Sequence, residues 1–309
     1  MKPFRDYNSY LRELFGCRVQ KITLDAGLTC PNRDGTLDTR GCIYCNERGS
    51  GTGAAGRALG IARQIQEGKA YLGARYKARK FLAYFQSFSN TYAPLAVLRN
   101  LYGEALADPD VVGLSIGTRP DCAPDDVLDY LASVARSRLV WIEYGLQSAN
   151  DATLTRIRRG HDSATFSDAV RRTKERGIPV CAHVILGLPG ETMEDMLRTA
   201  SFLVAHQIDA VKIHLLYVVR GTTLDEWYRD GRYDCLTRKA YATAVGEFLA
   251  LLPPDVVIQR LTADPHPEEL VAPAWALEKQ KNLQAIAKYM EERGLVQGKN
   301  CGVSPGSPW

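Results

Sequence analysis

Short apolar segments alternate with longer amphipathic ones along almost the whole chain, and this alternation limits the fold more than any other feature. The pattern predicts strands near residues 20–24, 80–86, 111–116, 139–146, 179–186 and 210–216. Between and after them it predicts helices near 59–76, 95–107, 125–135, 166–176, 193–206 and 239–251. Pro124 followed by Asp125 and Asp126 marks a helix start, with proline in the first turn and acids facing the helix dipole. Six strand–helix units in series imply a parallel sheet with right-handed crossovers.

Such a sheet is either doubly wound or curled into a full or partial barrel. Side-chain alternation bears on the choice. Val140, Ile142, Tyr144 and Leu146 form one apolar face, suited to covering helices. The other face carries Trp141, Glu143, Gly145 and Gln147, and in the sixth strand Lys212 and His214 lie opposite Val211, Ile213 and Leu215. A sheet face bearing Glu, Gln, Lys and His suits a wet barrel interior better than a dry second helix layer. The expected fold is α/β, an open relative of the TIM barrel with its chemistry at the strands' C-terminal ends. Residues 1–252 are expected to form this core with an N-terminal extension. Residues 253–309 form a C-terminal extension: a strand near 256–261, a Pro-rich stretch, a helix near 277–293 and a mobile tail from 298.

Composition excludes several classes. At 309 residues, 45% hydrophobic and 24% charged, the chain can bury a sizeable core. The first fourteen residues are charged and broken by Pro3, unlike a signal peptide, and no apolar run reaches membrane-helix length. A soluble, cytoplasmic protein is expected, where thiols stay reduced. The eight cysteines then read as metal ligands plus ordinary thiols rather than disulfides. A net charge of +4 neither demands nor forbids a nucleic-acid partner.

The segment that carries chemistry is Cys30-Pro-Asn-Arg-Asp-Gly-Thr-Leu-Asp-Thr-Arg-Gly-Cys42-Ile-Tyr-Cys45, directly after the first strand. Three buried thiols would be the plain reading, yet these sit among Gly, Asp, Asn and Arg. Structural zinc wants four closed ligands, and a fourth would have to be Cys17 or come from far away. A [4Fe–4S] cluster on three thiolates leaves one iron open, able to chelate the amino and carboxylate groups of a methionine moiety.

With these residues in view, the sequence resembles the radical S-adenosylmethionine (SAM) proteins. It is most similar to the YhcC/YtqA-type group, within a wider set that includes the catalytic subunit of Elongator. The resemblance runs from about Tyr7 to Gln297. Its supporting segments are ITLDAGLTC (22–30), FQSFSNTY (85–92), TRPDC (118–122), EYGLQS (143–148), RRGH (158–161) and GLPGE (187–191). It implies a partial (βα)6 barrel, a cluster on Cys30, Cys42 and Cys45, and SAM as second cofactor. Tyr44 resembles the aromatic residue near the SAM adenine. Gln86 and Ser87 stand where a Gly-rich motif meets the methionine amino group. Gln147 and Arg159, twelve apart, match a SAM-contacting pair, and a guanidinium can hold a carboxylate by two parallel bonds. The ribose-binding glutamate of related enzymes aligns with Gly117, so Glu143 is the candidate substitute. Leu186, Gly187 and Leu216 are candidate adenine contacts, and Lys212 and His214 candidate catalytic residues.

Other features read plainly. Gly51-Thr-Gly53-Ala-Ala-Gly56 matches a dinucleotide fingerprint but follows a cysteine pair rather than a strand. The Gly-rich stretch from Gly49 to Gly56 is instead expected to let the loop close round the cluster. Basic runs at 75–80, 156–159 and 171–174 are by default solvated helix faces. The expected activity is SAM cleavage and hydrogen abstraction, supplied with electrons by flavodoxin or ferredoxin. Resemblance to the Elongator set implies a tRNA wobble uridine side chain as substrate, with the basic runs as phosphate contacts. The alternatives are a small-molecule metabolite, or a zinc-stabilised RNA-binding protein without catalysis.

Overall fold

The computed structural model describes residues 2–47, 49 and 59–302. Nine strands and ten α-helices follow one another among them. The main strands are β1 (Val19–Leu24), β2 (Lys80–Phe85), β3 (Val111–Thr118), β4 (Leu139–Gln147), β5 (Val180–Leu186) and β6 (Ala210–Leu215). Then come β7 (Val218–Val219), β8 (Val257–Arg260) and β9 (Leu270–Ala272). The helices are α1 (Tyr7–Phe15), α2 (Ile61–Tyr76), α3 (Leu95–Leu106), α4 (Asp125–Ala135), α5 (Asp151–Arg156), α6 (Ser163–Glu175), α7 (Met193–Ala205), α8 (Thr223–Arg229), α9 (Arg238–Leu251) and α10 (Lys279–Glu292).

Seven parallel strands in the order β1-β2-β3-β4-β5-β6-β8 curl into a half-barrel. The expected six-strand barrel is present, and β8 extends the same sheet beyond β6. Local chemistry sets the element ends. Asp6 caps α1 through Ser9 N–H, and Thr192 with Asp195 forms a reciprocal capping box on α7. Pro124, Asp125 and Asp126 open α4 as predicted.

The two faces of the sheet are packed differently. Val140, Ile142, Tyr144 and Leu146 join the large outer core with residues of α3, α4, α6, α7 and α9. On the inner face the lower barrel is dry: Trp141, Cys181, Ala210 and Val257 pack against Tyr7 and Tyr10 of α1. Both tyrosine rings lie near the indole, edge-on at 6.3 and 5.8 Å. The interior is therefore wet only in its upper half. Along β4 it passes from Trp141 through buried Glu143 to Gly145 and Gln147.

β1 and β8 are the free edges of the half-barrel, and side chains and the chain's first residues span them. Lys21 Nζ donates to Gln259 Oε1 at 2.7 Å. Ile258 N–H donates to Arg5 O, Gln297 N–H to Pro3 O, and Arg5 N–H to Gln297 Oε1. The start of the expected mobile tail is also bonded, through Gly298 N–H to Leu249 O and Asn300 N–H to Ala250 O. Its last seven residues lie outside the described residues.

Candidate active site

The cysteine loop leaves the C-terminal end of β1 and folds through backbone turns. Arg33 and Asp34 N–H donate to Cys30 O, Gly41 N–H to Asn32 O, and Cys45 N–H to Cys42 O. Ile43 N–H donates to Ile157 O, tying the loop to the segment after α5. Cys30, Cys42 and Cys45 all line one cavity at the strands' C-terminal ends. Cys42 Sγ accepts from Asn32 Nδ2 at 3.6 Å and from Arg159 Nη1 at 3.8 Å. Burial, with Cys42 close by, pushes the Cys45 thiol up to about 11.

Three thiols on one cavity, with N–H donors on one sulfur, fit a cluster held by three irons. They do not fit zinc completed by Cys17, which precedes β1 and so lies at the far end of a six-residue strand, about 20 Å away. Cys122 is a buried thiol pushed up to about 12 by burial. Gly49 lines the cavity; the rest of the Gly-rich stretch falls outside the described residues.

Arg159 is buried, and its Nε and Nη2 donate to Gly145 O. Burial disfavours its charge, but Tyr44 and Cys42 outweigh that and raise its pKa. A Cβ on Gly145 would lie 2.5 Å from Arg159 Nη2 and 2.6 Å from Gln147 Nε2. The glycine is what lets this pair stand side by side over the strand. Of the expected site residues, Tyr44, Gln86, Glu143, Gln147, Arg159, His214 and Leu216 line the cavity.

Four expected positions do not. Leu186 is buried in the outer core, while Ile185, one residue earlier, faces the cavity, because side chains alternate along β5. Gly187 turns away against Leu236. Ser87 is buried off the cavity lining, between Gln86 and Phe88. Lys212 lies beneath the floor, donating to Tyr84 OH at 2.9 Å and to Glu143.

Glu143 organises that floor. Its side chain is 0% exposed. Oε1 accepts from Lys21 and Ser115, and Oε2 from Lys212 and from His183 Nε2 at 2.8 Å. With both oxygens doubly engaged, the carboxylate has no place for a ribose hydroxyl, which corrects that expectation. Burial alone would raise its pKa, but Lys21 and Lys212 pull it well below the usual carboxylate range. One carboxylate cannot neutralise two ammonium groups. Burial therefore depresses Lys212 to about 7, assisted by Lys21 and opposed by Glu143. His183, lowered to about 4 by burial and Lys212, is a neutral donor to Glu143. His214, 5.3 Å away ring to ring, is held neutral by burial and Arg260.

Sequence reasoning missed Asn32, Arg119, His183, Ile185 and Arg260 in the lining. His183 and Ile185 share the inner parity of β5 and could have been found that way. Of the basic runs only 156–159 reaches the cavity, through Arg159. Arg171, Arg172 and Lys174 pair with Asp168, Glu175, Asp125 and Asp209. Residues 75–80 end α2 and begin β2, at the other end of the barrel.

A half-barrel that gathers three thiols, a buried guanidinium and a glutamine at its strand ends defines a cofactor-carrying barrel enzyme with a three-cysteine site. The radical SAM superfamily model matches residues 39–203, and the Radical_SAM C-terminal domain model matches 208–292. The uncharacterized protein YtqA of Bacillus subtilis is 40% identical over 96% of this chain and 92% of its own length. Protein YhcC of Escherichia coli strain K12 is 37% identical over 97% and 94%. The chain belongs to the radical SAM superfamily, in the group of YtqA and YhcC. Its cofactors are accordingly a [4Fe–4S] cluster and SAM. A tRNA uridine(34) acetyltransferase of Dehalococcoides mccartyi is 30% identical over 50% of this chain, which spans 33% of it. The archaeal Methanocaldococcus infernus Elp3 structure shares the fold: TM-score 0.69 at 17% identity, over 90% of this chain and 64% of that one. Among the described residues no helix is long and apolar enough to cross a membrane.

Proposed function

We propose that this radical SAM enzyme modifies the side chain of a tRNA wobble uridine by hydrogen abstraction. The observation that carries the proposal is the 30% identity with the tRNA uridine(34) acetyltransferase. The chain spans only 33% of that relative, so acetyl transfer is not carried over. Cys30, Cys42 and Cys45 hold the cluster in this reading. Arg159 and Gln147 hold the methionine end of SAM, and Tyr44, Ile185 and Leu216 face its adenine. The chemistry supplied by these cofactors when bound is reductive cleavage of the sulfonium and hydrogen-atom abstraction from a substrate.

Beyond the thiols the cavity continues to Tyr84, His183, His214 and Arg260. These groups offer donors and acceptors to a polar ring such as uracil. A base splayed out of an anticodon loop can enter at the strand ends. Neutral His183 and His214 orient rather than attract, and the packed Trp141, Cys181, Ala210 and Val257 fill the barrel below them. We place the reaction in the cytoplasm, with flavodoxin or ferredoxin as the low-potential electron donor.

The test is a comparison of tRNA nucleosides from a deletion strain and its parent by mass spectrometry. A wobble uridine caught one step short of its mature form is expected. An unchanged nucleoside profile would overturn the substrate assignment.

A further inference from the structure

The cavity holds a second guanidinium with a share of its hydrogen-bonding capacity unused. Arg119 immediately follows β3, with extended backbone, and leads into the short turn Pro120–Cys122. Its side chain is only 2% exposed. Nε and Nη2 donate to the two carboxylate oxygens of Asp121, at 2.9 and 2.8 Å. This fork neutralises the charge and fixes the plane of the group. Nη1 is also buried, and among the described residues it has no hydrogen-bond partner. Leaving two N–H bonds of a charged group dry and unpaired is unfavourable.

The position of this group is specific. Arg119 lines the cavity together with Cys30, Cys42, Gln147 and Arg159. A Cβ on Gly160 would lie 3.1 Å from Arg119 Nη2 and 2.5 Å from Asn32 Oδ1. So Arg119 packs over Gly160 beside Asn32, whose amide reaches Cys42 Sγ, and next in sequence to Arg159. Both guanidiniums act on His161, which burial first, then Arg159 and Arg119, depress to about 3. Gly117, two residues earlier, also lines the cavity, and a Cβ there would lie 3.2 Å from Phe85 O.

We infer that Arg119 is a cofactor-contacting residue whose Nη1 donates into the cavity to an anionic acceptor on the bound cofactors. Two acceptors share that chemistry, the carboxylate of SAM and a sulfur of the cluster. Asp121 is the positioning residue that aims the fork, leaving Nη1 as the group presented to the ligand. The inference rests on the three cysteines holding the cluster, which iron and sulfide analysis of the wild-type protein checks first.

The experiment compares anaerobically reconstituted wild-type protein with Arg119→Lys and Arg119→Met. SAM affinity is read by equilibrium dialysis with the cluster oxidised, so that no turnover occurs. The midpoint potential of the cluster is read without SAM. If Nη1 meets the carboxylate, SAM binds about tenfold or more weakly in both variants, at unchanged potential. If it meets a cluster sulfur, the potential without SAM moves negative in Arg119→Met and less in Arg119→Lys. Either pattern supports the inference. Unchanged affinity and potential in both variants would overturn it, as would a loss of melting temperature and iron content in both with affinity per cluster intact. Asp121→Asn separates positioning from bulk stability, since a weaker version of the Arg119→Met effect is expected there.

Discussion

Replacing Glu143 by Gln tests whether charge holds the barrel floor together. In the folded chain one carboxylate meets the ammonium groups of Lys21 and Lys212 and also accepts from Ser115 and His183. Its side chain is fully buried, and that of Lys212 is 7% exposed. Glu143→Gln keeps the volume but leaves two ammonium groups without a counter-charge. Removing one partner of a buried pair costs about 3–5 kcal/mol. At about 2 °C per kcal/mol for a chain of this size, Tm should fall by roughly 6–10 °C. Lys212→Met should behave differently, because it leaves Lys21 and Glu143 as a one-to-one pair. Its expected shift is under about 2 °C. Glu143→Gln should also cost at least about 1 kcal/mol less in the Lys212→Met background than in the wild type. Circular-dichroism melts of the four proteins complete the cycle. The reasoning fails if Glu143→Gln melts with the wild type, or if Lys212→Met is equally damaging.

The same floor predicts a pH dependence. Because folding depresses Lys212 to about 7, its unfolded form binds more protons from about pH 7 up to the ordinary lysine range. The penalty of ionised Lys212 is full below pH 7 and is relieved as pH rises through that window. Urea midpoints at pH 7 and pH 9 should therefore improve for the wild type relative to Lys212→Met; parallel curves would contradict this. At the cluster, Cys30→Ser, Cys42→Ser and Cys45→Ser should each lose most of their iron and the brown absorbance on anaerobic reconstitution, while Cys181→Ser, buried in the plug, keeps both. Gly145→Ala places a methyl group within 2.6 Å of Arg159 and Gln147. It should weaken SAM binding by about tenfold or more with iron content preserved, as dialysis of the oxidised protein would show.

The strand core was legible because its apolar runs are bounded by helices with regular periodicity, and every main strand lies within two residues of its expected limits. The sequence does not advertise α1. Its segment YNSYLRELF buries a single leucine fully, and its role as a plug depends on Trp141, far along the chain. Helices α5 and α8, of six and seven residues, are too short for periodicity to register. At the site, cysteine spacing is a local signal and carried well. Leu186 was misplaced because apolar character was followed where strand parity should have been. The saturation of Glu143 was invisible because its partners come from β1, β3, β5 and β6, an arrangement that only the curl of the sheet creates.

The clasp across the barrel's free edges has a consequence for the order of assembly. It joins residues 3–5 to the segment around residues 258 and 297, and the Arg5–Gln297 bond alone spans 292 positions. Closing so long a loop costs about 5 kcal/mol of chain entropy. On the ribosome this clasp cannot close fully until residue 297 has emerged. A nascent chain can lay down β1 through β6 in order, but the wall beside Lys21 stays missing until β8, with Gln259, has followed.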